Sequence, residues 1–121
     1  MPSGKLAAQC CHASVAVFLN KGTWEVVEGE DTFTISNISP AMKHWMQVSF
    51  PKIVLGVDSE YDIEVLFAEA QRAGLPCSKI IDSGRTVFNG VHNLTCIAIG
   101  PADRSEIDAI TKHLPLYKDM V

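Results

Sequence analysis

Leu94-Thr-Cys-Ile-Ala-Ile99 is a short apolar run with one polar side chain, stopped by Gly100-Pro101. A strand covered on both faces reads this way, because neither face meets water. The run therefore predicts a buried strand. Working outward, Cys77-Ser-Lys-Ile-Ile81 behind Pro76 predicts a second strand, and Lys52-Ile-Val-Leu-Gly-Val57 behind Pro51 a third. Helical patterns alternate with them. Residues 60–73 repeat Ile63, Leu66, Phe67 and Ala70 at steps of three and four, with Asp58 or Ser59 as cap and Gly74 as stop. Asp103, followed three residues later by Glu106, has the form of a capping box and predicts a last helix to about His113, with 114–121 as a tail. The alternation predicts an α/β fold, a three-layer α/β/α sandwich around a small mixed β-sheet.

Upstream, residues 3–20 predict a helix with Ser3 as N-cap, Leu6, Cys10 and Val17 on one stripe, and Gly22 as the closing glycine. Its small residues Ala7, Ala8, Ala13, Ser14 and Ala16 permit close approach to a sheet. Residues 23–38 mix Trp24, Val26, Phe33 and Ile35 with Glu25, Glu28, Glu30 and Asp31, without a sustained period. They are expected to be a surface insertion with room for a short hairpin. Ser39-Pro40 opens a helix over 41–47, with Met42, Trp45 and Met46 on its buried side. Asp82–Thr86 and Asn89-Gly90 are turn signals.

The chain has 121 residues, 47% hydrophobic and 20% charged, which suits one domain over 1–121 and excludes general disorder. No apolar run approaches ~18 residues, so no transmembrane helix and no membrane partner are expected. Residues 13–19 are apolar but short, and no basic segment precedes them, against a signal peptide. Net charge is −4, with a pI of about 5.4. Nucleic-acid contact would then need a local basic patch, for which Lys5, Lys79 and Arg85 are the candidates. Cys10, Cys11, Cys77 and Cys96 fit neither a metal knuckle nor a disulfide framework, and a reducing interior is the simplest setting. The histidines at 12, 44, 92 and 113 are scattered, so no metal site is expected. Cys10 and His12 lie two residues apart on a helix and face different ways, a poor nucleophile pair.

Three stretches in order resemble the type 2 peptidyl-tRNA hydrolase family of archaea and eukaryotes. Gly4-Lys5-Leu6-Ala7-Ala8-Gln9-Cys10-Cys11-His12-Ala13 follows the family's G-K-x-x-A-Q-x-x-H-A. Gly74-Leu75-Pro76 and then Ile80-Ile81-Asp82-Ser83-Gly84-Arg85-Thr86 follow its D-A-G-R-T, and Thr95-Cys96-Ile97-Ala98-Ile99-Gly100-Pro101 follows its last strand. Residues 106–117 fit its final helix and Leu-Tyr end. The departures are Ser83 for Ala, Val87 for Gln, and Met1 where the family's first strand ends. Without that strand, an open sheet edge is expected.

The resemblance implies hydrolysis of the ester joining a peptide to tRNA, without cofactor. It implies peptidyl-tRNA as substrate, a homodimer as the common assembly, and a cytoplasmic location, or a mitochondrial one if an N-terminal extension is missing. A catalytically inactive relative that binds RNA or protein is the alternative. Lys5 takes the place of a catalytic lysine, a cation for the oxyanion or a phosphate. Read alone, it is a solvated lysine at a helix start, where a cation is disfavoured. His12 takes the place of a catalytic histidine, or is a packed residue on an Ala-rich helix. Asp82 takes the place of a catalytic aspartate, or is an Asx-turn residue. Thr86 offers a hydroxyl from the same loop. For substrate binding, Gln9 holds substrate or ties down a loop, Arg85 grips phosphate or pairs with Asp82, and Thr95 contacts substrate or is simply a strand former.

Overall fold

The computed structural model describes residues 3–81 and 94–118, with only the backbone for Leu94 and Thr95. Helix α1 spans Ser3–Lys21, and strands β1 (Gly22–Val27) and β2 (Glu30–Ile35) follow it. Then come α2 (Pro40–Gln47), α3 (Glu60–Arg72), β3 (Cys77–Ile81), β4 (Leu94–Ile99) and α4 (Arg104–Thr111).

Strands β3 and β4 pair antiparallel, with Ser78 opposite Ala98 and Ile80 opposite Cys96. Helix α1 packs on both strands, and so does α3. Because side chains alternate along a strand, one face of the pair can be followed residue by residue. Ser78 is buried and its hydroxyl donates to the Ala13 carbonyl of α1 at 2.6 Å. Its neighbours point the other way. Cys77 joins the core of Leu66, Ala70, Leu75 and Ile110, and Lys79 reaches Glu64 of α3. On β4, Ile97 and Ile99 pack into that same core. Helix, sheet, helix is the layering expected.

Local chemistry accounts for the helix starts. Ser39 Oγ accepts from the Met42 N–H and Ser59 Oγ from the Asp62 N–H, both at 3.1 Å, each satisfying an N–H with no partner in its helix. Helix α3 buries Leu66 and Ala70 of its expected stripe. In α2, Met42 is buried, Trp45 half-buried, and Met46 exposed. Trp45 stacks on Phe18 of α1 at 5.8 Å and donates to the Pro51 carbonyl at 2.7 Å.

Four expectations are corrected. Residues 52–57 form no strand: one isolated bridge joins Leu55 to Leu116, flanked by Gly56 N–H to Pro115 O and Tyr117 N–H to Val54 O. Residues 115–117 of the expected tail are thereby docked on this segment. Residues 23–38 are more regular than expected, a full hairpin whose turn has positive φ at Glu28 (50°) and Gly29 (82°), the primed geometry that matches strand twist. Gly22 does not cap α1; it opens β1, where an added Cβ would meet the Phe33 ring and lie 2.9 Å from the Thr34 carbonyl, so a larger residue would have to displace both. Asp103 is the N-cap of α4 by position, but its side chain caps nothing, and the helix ends at Thr111.

Candidate active site

On an ideal helix of 100° per residue, Lys5, Gln9 and His12 fall within about 60° of arc, beside the stripe of Cys10, Ala13 and Val17 that α1 buries. Lys5 and Gln9 are half-buried and His12 is exposed. Lys5 has an interaction partner. The first turn of α1 carries no acidic residue, so its N-terminal partial charge and Lys5 add with the same sign.

The second contribution comes from the end of the sheet. From the Ala13–Ser78 anchor, α1 runs back about 12 Å to Lys5 at 1.5 Å per residue. Strand β3 runs on about 10 Å from Ser78 to Ile81 at 3.3 Å per residue. The direction is common to both, because Cys10 of α1 meets Cys96 of β4, and Cys96 lies opposite Ile80. Lys5 and the end of β3 therefore lie at similar heights. Ile81 is the register partner of Leu94, so β3 ends and β4 begins at this end of the sheet. Asp82, Arg85 and Thr86 lie outside the described residues, as do the expected turn at 82–86 and that at Asn89-Gly90. Thr95 is on β4, with its backbone alone described.

Gln9 carries a feature its residue type does not announce. Its Oε1 is buried and has no hydrogen-bond partner among the described residues. Leaving such an acceptor unpaired costs about 1–3 kcal/mol, and buried polar atoms in folded proteins are rarely left so. Ser78 is a residue sequence reading missed: a small polar side chain inside an apolar strand, it fixes α1 on the sheet. Lys79 leaves the expected basic patch. It lies on the α3 face, 3.0 Å from the Glu64 carboxylate and over the Phe67 ring, across the sheet from Lys5. A groove of about 490 Å³ between α2 and the start of α4 is lined by His44, Trp45, Asp103 and Arg104 among others, and by none of Lys5, Gln9 or His12. Among the described residues no group of three metal-ligating side chains occurs.

The family model described as Peptidyl-tRNA hydrolase PTH2 matches residues 1–117. A peptidyl-tRNA hydrolase of Methanococcus vannielii is 37% identical over 117 residues, covering 96% of this chain and 88% of the relative. That of Haloquadratum walsbyi is 39% identical over 117 residues, covering 97% and 89%. The human protein named peptidyl-tRNA hydrolase 2, mitochondrial, is 35% identical over 118 residues, covering 97% of this chain and 58% of its own length. With nearly the whole chain matched by one family model and by relatives above 30% identity, the chain belongs to the peptidyl-tRNA hydrolase PTH2 family.

Proposed function

We propose that this chain hydrolyses the ester of peptidyl-tRNA, using one flank of α1 together with the segment that leaves β3 at Ile81. Family membership supports the reaction. The observation that supports the site is the Oε1 of Gln9, between Lys5 and His12, buried without a hydrogen-bond partner among the described residues. An acceptor held in that state is suited to a donor arriving with the substrate, a ribose hydroxyl or a peptide N–H.

Ester hydrolysis needs an oriented water, charge for the tetrahedral oxyanion, and a proton for the departing ribose oxygen. Lys5 supplies positive charge at a helix end whose own dipole has the same sign. Asp82, one residue past β3, orients the water or partners Lys5, and Thr86 adds a hydroxyl. His12 is exposed on the same flank and passes the proton to the departing oxygen. Arg85 grips phosphate as a planar fork, and Thr95 borders the substrate from β4. Water is the only co-reactant. The reaction is placed in the cytoplasm, with the mitochondrion as the alternative raised by the human relative's name; among the described residues no helix is long and apolar enough to cross a membrane. Exposed Val48, Phe50 and Ile53 offer an apolar surface for a homodimer, which sedimentation at graded concentration tests.

The deciding experiment is single-turnover release of tRNA from a peptidyl-tRNA by the parent and by Lys5→Ala. Cleavage by the parent with severe loss in the variant, at unchanged circular dichroism, is expected. An inactive parent that still binds tRNA would overturn the reading in favour of a binding module.

A further inference from the structure

The hairpin of β1 and β2 presents a bare apolar face and an open edge. Pairing sets Trp24 opposite Phe33 and Val26 opposite Asp31, and side chains alternate along each strand, so Trp24, Val26 and Phe33 share one face. The Trp24 and Phe33 rings meet at 5.1 Å. Even so, Trp24 is 72% exposed and Val26 70%. Ile35 continues the same face into an apolar groove with Phe18, Trp45 and Phe50. The opposite face carries Glu25, Glu30, Thr32 and Thr34, and Thr34 Oγ1 donates to Glu25 Oε1 at 2.6 Å. Among the described residues β1 pairs with β2 alone, which leaves its outer edge open. Two strands by themselves are marginal in water; a third strand or a packed face is what secures them.

Charge decides what can lie there. Every ionisable side chain of 22–35 is acidic: Glu25, Glu28, Glu30 and Asp31 match the chain's entire net charge of −4. None of the four makes an ion pair among the described residues. The hairpin follows Lys21, about 24 Å along α1 from Lys5, or about three Debye lengths at physiological salt. The field at the hairpin is therefore its own. RNA and anionic lipid have the same sign and are repelled, and so is the hairpin of a second copy. A cationic protein strand is the occupant that the charge admits.

We propose that the outer edge of β1 accepts an extended protein segment in which lysine or arginine alternates with aliphatic or aromatic residues. Main-chain hydrogen bonds to the β1 edge hold such a strand, and the alternation sends its side chains to the two faces of the hairpin. Its apolar residues extend the face of Trp24 and Val26. Its cations lie beside Glu25, on the face that Glu30 shares. The bare face and open edge call for a strand, and the carboxylates select its charge. This binding is independent of the hydrolytic reading, because the hairpin lies at the far end of α1 from Lys5.

The test titrates the full, isotope-labelled chain and follows its backbone amides by NMR. The probes are end-blocked octapeptides that alternate lysine with valine, lysine with serine, or glutamate with valine, and a short single-stranded RNA. The lysine–valine peptide should give saturable shifts confined to residues 23–34, with tighter binding at low salt. The lysine–serine peptide should bind about tenfold more weakly, the equivalent of two or three lost cross-strand pairs. The glutamate–valine peptide and the RNA should leave the hairpin amides unmoved. Glu25→Lys combined with Glu30→Lys should turn the preference to the glutamate–valine peptide. No shift with the lysine–valine peptide, equal binding of the lysine–serine peptide, hairpin shifts with RNA, or a preference unmoved by the charge reversal would each overturn the proposal. Self-association of the chain that Trp24→Ser abolishes would overturn it in favour of a second copy. The peptide comparison on the parent decides the matter even if a variant loses its hairpin.

Discussion

Replacing Gln9 by methionine should make the protein more stable and the enzyme worse. Methionine has nearly the length of glutamine, fits irregular half-buried gaps, and brings no acceptor that needs a partner. Gln9 Oε1 is buried without a partner among the described residues, a state that costs about 1–3 kcal/mol. Recovering the lower part of that range, about 1 kcal/mol, has a definite thermal signature. For 121 residues at about 2.1 cal/mol/K each, the unfolding entropy is near 250 cal/mol/K, so the gain raises Tm by about 4 °C. The same change deletes the acceptor offered to substrate. A hydrogen bond worth about 1.4 kcal/mol in the transition state corresponds to about tenfold in kcat/KM. Scanning calorimetry and single-turnover cleavage on one preparation read both numbers. A fall in Tm would mean that Oε1 is already satisfied in the folded protein. A rise in Tm with unchanged cleavage would mean that Gln9 is strained packing with no place in the site. Either result refutes the reasoning.

Four further outcomes follow from the same contacts. Asp82→Asn and Lys5→Ala should each lower single-turnover cleavage by ~10²–10⁴-fold with the fold retained, His12→Ala less; an Asp82→Asn enzyme near full activity would dismiss Asp82 as the carboxylate of the site. Ser78→Ala removes the buried 2.6 Å bond from β3 to α1 and should cost about 1 kcal/mol, seen as a lower urea midpoint at unchanged m. An unchanged midpoint would show that α1 is held without that bond. Gly29→Val, forced to φ +82° at the hairpin turn, should disorder β1 and β2 and quench the Trp24–Phe33 contact, with loss of near-UV ellipticity as the measure. The Cys96 thiol is raised above its ordinary value of 9.0 to about 12 by burial, so the folded state holds its proton where the unfolded state releases it. That stability is complete below about pH 9 and is lost between pH 9 and 12. Cys96→Ala should flatten the alkaline fall in Tm over that window, and an identical fall would exclude Cys96 as its source.

The parts of the fold legible in the sequence were those specified by short-range rules. Ser39-Pro40, Ser59 and Gly74 bound their helices because caps act on the adjacent N–H and carbonyl groups. Strands β3 and β4 were legible because their apolar runs are stopped by turn residues at both ends. The hairpin at 22–35 was harder. Its turn is Glu28-Gly29 rather than Asn-Gly, and its strands face water on both sides, so alternation of apolar and polar side chains is weak. Lys79 was misplaced because net charge and proximity to Asp82 in the chain suggested a patch. Strand alternation, readable from Ser78 and Ile80, would already have sent Lys79 to the other face.

Residues 52–57 show the limit of such reading most clearly. Lys52-Ile-Val-Leu-Gly-Val57 has the composition of a strand buried on both faces, yet Ile53 is 76% exposed. An apolar run records what a segment can bury; a strand also needs a partner whose N–H and C=O groups lie alongside it, and that partner is set by topology. Here the described partner is the chain's own tail at Pro115–Tyr117, which meets the segment at a single bridge. The helix of the proposed site, α1, escapes this dependence. Lys5, Gln9 and His12 share a flank because helix hydrogen bonds are local, so their spacing alone places them together. What spacing could not show was which flank faces the sheet's end. That was decided by two long-range contacts, Ser78 to Ala13 and Cys96 to Cys10, made by small side chains that any composition-based reading treats as filler.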